Sequence, residues 1–176
     1  INSSTKNIKM EIVCSTDSKY IMPTGIMLLS LFESNRGEVV NVHLLHDHDS
    51  AALLDPIRAI AASYQQNIHF YLINDDIFEH FPIGLDFQLD HVGTSFATYY
   101  RLYLTEILPA DIDKVIYLDG DILVVDKLVK LWNTSVENYA IAAVPDSYNN
   151  KIEHYNRLRY PQTLGSVSYT HLTLPT

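Results

Sequence analysis

Short apolar runs alternate along the chain with longer segments in which apolar residues recur at every third or fourth position. A run of four to eight apolar residues is typical of a buried strand, and a period of 3.6 is typical of a helix. The segments that predict strands are residues 8–14, 39–45, 68–73, 114–118 and 139–144. The segments that predict helices are residues 24–32, 53–64, 95–104 and 149–158. Strands that alternate with helices predict βαβ units, and therefore an α/β fold with a mainly parallel sheet.

The start of the second predicted helix is ambiguous because Pro56 lies inside its apolar pattern. Residues 47–50 supply several helix-capping side chains before it. Either the helix begins at Pro56 with Asp55 as its N-cap, or it is kinked there, since proline lacks the N–H of the helical ladder. Residues 75–90 combine proline, glycine and aromatic residues, and they predict a loop.

The C-terminal segment, residues 166–176, differs from the rest of the chain. It is rich in serine and threonine and shows no helical period. It could form a short edge strand, or it could be a segment foreign to the fold, of the kind that is left out of fold reasoning. No linker divides residues 1–165, which predict a single domain.

Composition and charge narrow the classes of protein to which these elements can belong. The formal net charge of −9 argues against nucleic-acid binding, which requires a basic face, and against docking on anionic lipid. No apolar run approaches the ~20 residues that cross a bilayer as a helix. Cys14 is the single cysteine, which excludes an internal disulfide and a cysteine-rich zinc site. We interpret it as a small buried apolar residue.

The strongest chemical signal is the sequence Asp119-Gly120-Asp121, directly after the apolar run at residues 114–118. In an extended chain, residues two apart point to the same side, so the two carboxylates can converge. At ~4 Å they repel by about 4 kcal/mol at an effective dielectric constant near 20, unless a cation such as Mg²⁺ or Mn²⁺ lies between them. Gly120 allows a ligand to approach the backbone. Asp-Gly between apolar runs is also typical of a type I′ hairpin turn, and the local sequence alone favours that turn.

Other polar residues lie where strands are predicted to end, which is where parallel sheets bind ligands. Asp17 follows the first strand and either contacts a nucleotide base or is a helix N-cap or a loop aspartate. Tyr20 either stacks on that base or packs against the protein. Arg101, on a predicted helix, either contacts a phosphate or sugar or forms a surface ion pair. Residues 46–49 (His-Asp-His-Asp) resemble a metal cluster, but neighbours on a strand face opposite ways, so we interpret them as a solvated loop.

Three stretches together resemble the family 8 glycosyltransferases, the retaining enzymes that include bacterial lipopolysaccharide galactosyl- and glucosyltransferases, general stress protein A and glycogenin. Residues 12–20 (Ile-Val-Cys-Ser-Thr-Asp-Ser-Lys-Tyr) are similar to the family's opening strand and uridine-contacting loop. Residues 98–102 (Thr-Tyr-Tyr-Arg-Leu) are similar to its Thr-Tyr-x-Arg-Leu helix. Residues 114–124 are similar to its Asp-x-Asp strand, and Leu131-Trp132 follow at a familiar distance. The order and spacing of these motifs, between about Lys9 and Gly165, outweigh the interpretation as a plain turn.

The resemblance implies a GT-A fold, which is Rossmann-like, with residues 1–165 as its nucleotide-sugar-binding part. UDP-sugar would lie at the carboxyl edge of the sheet, with Asp17 on the uracil, Tyr20 stacked near it and Asp119 also approaching the ribose. The substrate-binding residues that it implies are Thr16, Asp17, Lys19, Tyr20, Arg101, Asp119 and Gly120. The metal ligands that it implies are Asp119 and Asp121, holding Mn²⁺ or Mg²⁺ between the phosphates.

The activity implied by the resemblance is retaining transfer of a hexose, glucose or galactose, from a UDP-sugar to a saccharide or glycolipid acceptor. The cation would neutralise charge on the departing UDP while the sugar passes through an oxocarbenium-like state. The location implied is the cytoplasm, with peripheral attachment to the inner face of the membrane through segments beyond this chain. The alternatives are an inactive fragment that binds UDP and metal, and a structural α/β domain in which Asp-Gly-Asp is a hairpin turn.

Two departures from the family pattern bear on these expectations. Lys19 stands where many members carry asparagine, so one base or ribose contact differs. The family's next motif, Tyr-Phe-Asn-x-Gly-Val, is expected close after Gly165, but residues 166–176 follow instead. We therefore interpret those residues as a non-native or disordered tail, and we expect the catalytic residues to lie in the part of the enzyme that this chain lacks.

Overall fold

The computed structural model describes residues 8–80, 95–137 and 139–143, together with the backbone of residues 171–175. The strands in these ranges are β1 (Lys9–Thr16), β2 (Val39–His46), β3 (Asn67–Leu72), β4 (Lys114–Leu118), β5 (Ala142–Ala143) and β6 (His171–Pro175). They form one sheet in the order β3-β2-β1-β4-β6-β5. The first four in that order are parallel, and β6 is antiparallel to both of its neighbours.

Helices in the described ranges connect or flank these strands. The α-helices are α1 (Ile21–Ser34), α2 (Ala51–Ser63), α3 (Leu104–Ile107) and α4 (Val129–Trp132). Single 3₁₀ turns are formed by Asp75–Phe78, Phe96–Thr98 and Tyr100–Tyr103. Among these residues, no helix has the length and apolar character that crossing a membrane would require.

Both faces of the parallel sheet are buried, because alternate residues of each strand point to opposite sides. On one face, Ile12 lies beside Val42 and Ile116, and α1 and α2 pack over them as the two crossover helices. On the other face, Val13 and Tyr117 pack against a cluster that includes the 3₁₀ turns before α3. This arrangement brings the carboxyl ends of β1, β2 and β4 to one edge of the sheet, where their loops can form a site.

The strands confirm the α/β fold and the mainly parallel sheet that the apolar runs predict. The segment 114–118 is β4 without change, and the three earlier strands differ from the predictions by one or two residues at their ends. Strong apolar runs predict strands well because a strand that is buried on both faces consists mainly of apolar residues.

Three predicted elements are corrected by the structure. Helix α2 begins at Ala51 after Ser50, and Pro56 lies inside it, so the start at Pro56 with Asp55 as N-cap is wrong. Pro56 is exposed, where water can bind the carbonyl that loses its helical partner. The predicted helix 95–104 is instead two 3₁₀ turns. Of the predicted strand 139–144, the described residues 139–143 form a strand only at Ala142–Ala143, and residue 144 lies outside the described residues. The predicted loop 75–90 begins with a 3₁₀ turn, and its residues 81–90, like the predicted helix 149–158, lie outside the described residues.

The backbone of the C-terminal segment forms β6, between β4 and β5. Residues 166–176 are interpreted from the sequence either as a short edge strand or as a segment foreign to the fold. His171–Pro175 do form a strand, but it lies between two other strands and not at the edge of the sheet. That the segment is not native, and that residues 1–165 are the nucleotide-sugar-binding part, stay predictions.

Candidate functional site

The turn after β4 packs against α1 at a point where no side chain fits. A Cβ atom on Gly120 would lie 2.5 Å from Thr24 Oγ1 and 3.4 Å from the carbonyl oxygen of Ser15. The requirement for glycine is therefore one of space, since among the described glycines only Gly37 has a positive φ. Asp119, half-buried, and Asp121, exposed, flank Gly120 at this contact.

The hairpin interpretation of Asp-Gly-Asp is wrong. A type I′ turn needs positive φ at both central residues, and among the described non-glycine residues only Gln65 has a positive φ. Directly after the turn, residues 122–128 form no strand against β4, and they run along α1 instead. Val124 N donates to Ser30 Oγ, and Ser34 Oγ donates to Val124 O.

The loop after β1 is organised by Asp17. Asp17 Oδ1 accepts the backbone N–H groups of Lys19, at 2.8 Å, and of Tyr20, at 2.9 Å. The N-cap position of α1 is Tyr20, so Asp17 does not cap the helix, and it forms a side-chain turn within the loop that leads into α1. A carboxylate has about four lone-pair positions, so the two bonds leave capacity for a ligand. Lys19 and Tyr20 are exposed at the start of α1.

Thr16 joins this loop to the turn after β4. Its hydroxyl accepts a hydrogen bond from Thr24 Oγ1 at 3.1 Å and donates to the carbonyl oxygen of Asp17. Thr24 is also the side chain that Gly120 approaches. Thr16, Thr24 and Gly120 therefore form one continuous contact between the ends of β1 and β4.

Arg101 reaches the same place from the 3₁₀ turn Tyr100–Tyr103. Its Nη2 donates to Asp119 Oδ1 at 2.9 Å, and its Nε donates to the carbonyl oxygen of Thr98 at 3.0 Å. The Arg101 and Asp119 side chains are 19% and 23% exposed, so this is not the fully solvated surface pair that one interpretation predicted. Arg101 also lies over the ring of Tyr117, with Cζ 4.5 Å from the ring centroid.

Tyr117 is a residue that sequence reasoning missed. Its ring is 1% exposed, and its hydroxyl shares a hydrogen bond of 2.5 Å with Ser15 Oγ. Burial raises the pKa of Tyr117 to about 12, although the charge of Arg101 opposes that rise. Because Tyr117 lies two residues before Asp119, the two side chains point to the same side of the chain. This spacing is the sequence signal that could have indicated that Tyr117 contacts Arg101.

Residues 46–49 are less solvated than their sequence predicted. His46 is 4% exposed, and its Nδ1 lies 2.6 Å from the carbonyl oxygen of His48. Burial raises the pKa of Asp47, and the nearby charges of Asp17 and Asp75 contribute to that rise. Across the ranges that the structure describes, no group of three or more His, Cys, Asp or Glu residues is placed to hold a metal ion. The metal-cluster interpretation of residues 46–49 therefore finds no support.

Tyr100, a neighbour of Arg101, binds the end of β3 to this edge. Its hydroxyl donates to Asp75 Oδ1, and its ring is fully buried against Phe78. Burial and this hydrogen bond raise the pKa of Tyr100, so it is a neutral donor at physiological pH. The segment that carries Arg101 is thus anchored at β3 and at β4, which places Arg101 beside the end of β4.

The turn after β4 fits an oxygen-ligated cation. Asp119 and Asp121 supply the hard oxygen atoms that Mg²⁺ and Mn²⁺ prefer. Arg101 already lies on Asp119 as a positive charge, so an ion at this carboxylate would share it with Arg101, and the backbone between the two carboxylates packs against Thr24 at Gly120. Two carboxylates alone leave most positions of such an ion open, as is usual where substrate phosphates complete the ligand set.

A cleft of about 540 Å³ lies away from this turn, towards the amino ends of the strands. Glu11, His43 and Trp132 line it, and none of the candidate substrate or metal residues does. Because parallel sheets bind ligands at the opposite, carboxyl edge, we place the candidate site at Asp17, Arg101 and Asp119.

Comparison with known proteins identifies the family of the chain. The model of the family described as glycosyl transferase family 8 matches residues 11–166. The chain is 27% identical to the lipopolysaccharide glucosyltransferase WaaO of Escherichia coli, over 80% of this chain and 39% of that protein. It is 28% identical to the glycosyltransferase GlyF of Streptococcus pneumoniae, over 80% of this chain and 33% of that protein.

Among solved structures, the chain is similar to the galactosyltransferase LgtC, crystallised in complex with donor and acceptor sugar analogues. The TM-score is 0.80 with 28% sequence identity, over 94% of this chain and 58% of LgtC. The chain spans between a third and a half of the length of the first curated relatives that it matches.

Proposed function

Because the chain belongs to glycosyltransferase family 8, we propose that it is the nucleotide-sugar-binding part of a hexosyltransferase. The reaction is retaining transfer of glucose or galactose from a UDP-sugar to a saccharide or glycolipid acceptor. The observation that supports this most is the meeting of Asp119 with Arg101 at the carboxyl edge of the sheet. An anionic donor needs positive charge there, and the chain as a whole carries a net charge of −9.

We propose that the positive charge comes from Mn²⁺ or Mg²⁺ held by Asp119 and Asp121. When bound, such an ion acts as a Lewis acid that stabilises negative charge on the departing diphosphate. Arg101 supplies a second, permanent positive charge beside Asp119, close to the sugar or the phosphates. Gly120 lets the turn that carries the two carboxylates pack closely against Thr24.

The loop after β1 supplies the nucleoside contacts in this proposal. The second carboxylate oxygen of Asp17 accepts the imide N–H of uracil, while Oδ1 keeps the loop in shape. Tyr20 is 42% exposed, so that its ring offers a face on which the base can stack. Thr16 and Lys19 complete the substrate-binding set, with Thr16 tied to α1 through Thr24.

Calorimetric titration of the chain with UDP, with and without Mn²⁺, tests the proposal. We expect weak binding that depends on Mn²⁺ and that is lost in Asp121→Ala. Asp126→Ala is a matched control, because Asp126 is an exposed aspartate on the same loop that is not in the proposed ligand set. Absence of binding at millimolar UDP, or binding that Asp121→Ala leaves intact, contradicts the proposed site.

A second candidate function is that the chain binds UDP and metal but transfers no sugar by itself. It is favoured by the length of the relatives, of which the chain covers less than half. We expect the catalytic residues and the acceptor site to lie in the remaining part of the enzyme. Turnover of a UDP-sugar by the isolated chain would contradict this second candidate.

We further propose a cytoplasmic enzyme that reaches the inner face of the membrane through segments beyond this chain.

A further inference from the structure

The guanidinium of Arg101 is held on three sides. It donates from Nε to Thr98 O and from Nη2 to Asp119 Oδ1, and its Cζ lies 4.5 Å from the centroid of the Tyr117 ring. A planar guanidinium can satisfy a carbonyl, a carboxylate and an aromatic face together, which the point charge of a lysine cannot do. Arg101 is therefore fixed on Asp119 by three independent contacts.

Tyr117, which provides the aromatic face, is itself immobile. The ring is buried in the core beneath the site, and its hydroxyl is hydrogen-bonded to Ser15 Oγ on β1. A buried ring that is tied at its tip cannot turn away from Arg101. Tyr117 is thus held in place by the sheet, and it holds Arg101 in position beside Asp119.

The ion pair between Arg101 and Asp119 opposes the binding of a cation to Asp119. About four-fifths of each side chain is shielded from solvent, so salt and water screen the pair less than a surface pair. A divalent cation has to compete with a positive charge that is already in place on the Asp119 carboxylate. An anionic diphosphate removes that competition, because it offers Arg101 another partner.

We propose that Arg101 is the resident counter-ion of Asp119, that Tyr117 is the positioning residue that holds it there, and that Arg101 passes from Asp119 to the donor's diphosphate when the cation binds. This inference rests on the proposed function above. It makes binding of cation and nucleotide mutually dependent, since each ligand favours the arrangement that the other requires.

The test measures Mn²⁺ binding without nucleotide, from the electron paramagnetic resonance signal of free Mn²⁺. In Arg101→Gln we expect Mn²⁺ to bind at least about threefold more tightly than in wild type, because its competitor is gone. Arg36→Gln is the matched control, since Arg36 pairs with Glu33 on the exposed face of α1 and its loss changes the net charge equally. We expect it to leave the Mn²⁺ affinity within twofold of wild type.

A second pair of variants tests the positioning role of Tyr117. It also provides a test if Arg101→Gln misfolds, which circular dichroism would detect. Tyr117→Leu removes the ring but keeps Arg101, and we expect a rise in Mn²⁺ affinity in the same direction. Tyr117→Phe keeps the ring, and we expect an affinity close to wild type. Equal Mn²⁺ affinity in all folded variants overturns the inference.

The same titrations separate this inference from the proposed function. If Mn²⁺ binds in the presence of UDP but Arg101→Gln leaves its affinity without nucleotide unchanged, only the counter-ion role is wrong. If no variant binds Mn²⁺ with or without UDP, the proposed metal site and the counter-ion role are both wrong. We also expect UDP to raise Mn²⁺ affinity by a smaller factor in Arg101→Gln than in wild type, and an equal factor contradicts the inference.

Discussion

Gly120 approaches Thr24 so closely that a Cβ atom would lie 2.5 Å from the Thr24 hydroxyl oxygen. That hydroxyl donates to Thr16 on β1. The two aspartates of the candidate metal site are thus placed by a contact between β4, α1 and β1. Their position depends on the absence of one side chain.

Gly120→Ala is expected to destabilise the protein by ~1–3 kcal/mol, the usual cost of overpacking a well-packed site. Thr24 would have to turn away from Thr16 to make room, and the turn that carries Asp119 and Asp121 would shift. Urea unfolding measures the stability, and calorimetry with UDP and Mn²⁺ measures the expected loss of affinity.

The control for this variant is Gly25→Ala, in α1. A Cβ there would lie 3.6 Å from Ile60 Cδ1, which is an ordinary contact. Alanine in a helix interior is favoured over glycine by roughly 0.5–1 kcal/mol, so we expect a small gain in stability. Gly120→Ala with the stability and UDP affinity of wild type would show that the close contact has no consequence.

Substitutions of Asp17 separate its structural role from its proposed contact with uracil. Asp17→Ala removes the acceptor for two backbone N–H groups, and we expect a loss of about 1 kcal/mol in stability. Asp17→Asn keeps an oxygen for these groups, but its amide N–H₂ replaces the second carboxylate oxygen and cannot accept the imide N–H of uracil. We expect Asp17→Asn to unfold like wild type in urea and to bind UDP about tenfold more weakly. Unchanged UDP affinity in this variant would assign Asp17 to loop structure alone.

Cys14 is expected to be unreactive in the native protein. It lies in the middle of β1 with no exposed surface, as the sequence predicted, and burial raises the pKa of its thiol to about 12. Since the thiolate is the reactive form, a disulfide reagent at pH 8 should label Cys14 only as fast as the protein unfolds. Rapid stoichiometric labelling without denaturant would contradict the buried position of β1.

Glu11 is expected to make stability fall in acid. Burial alone would raise its pKa, but hydrogen bonds from His43, Lys9 and Asn41 outweigh burial and lower the pKa to about 2. A carboxyl whose pKa is lowered by folding stabilises the folded state above its unfolded value of about 4.5 and loses that contribution as pH falls towards 2. We expect wild type to be more stable than Glu11→Gln in urea at pH 6, with a difference that shrinks below about pH 4.5. A difference that is constant from pH 6 to pH 3 would contradict this linkage.

The sequence by itself predicts the parallel sheet and the positions of its first four strands. It does so because a strand that is covered on both faces is mainly apolar, and residues 39–45 and 114–118 show that pattern with few polar residues. The motifs around Asp17 and Asp119 also lie in the sequence, and they indicate the family without any knowledge of contacts. Helix 95–104 is predicted wrongly, because its aromatic residues are held by packing around Phe78 and not by helical propensity.

Only the tertiary structure decides how the candidate residues are used. Asp-Gly-Asp has the local signature of a hairpin turn, and the structure has in its place a packing contact between Gly120 and Thr24, far away in the sequence. The sequence likewise does not show which residues contact Arg101. Tyr117 lies on β4 and Asp119 directly after it, whereas Arg101 lies on a 3₁₀ turn. Local patterns determine which residues a strand or loop can hold, whereas distances between charges on different elements are set by the packing of the sheet and its helices.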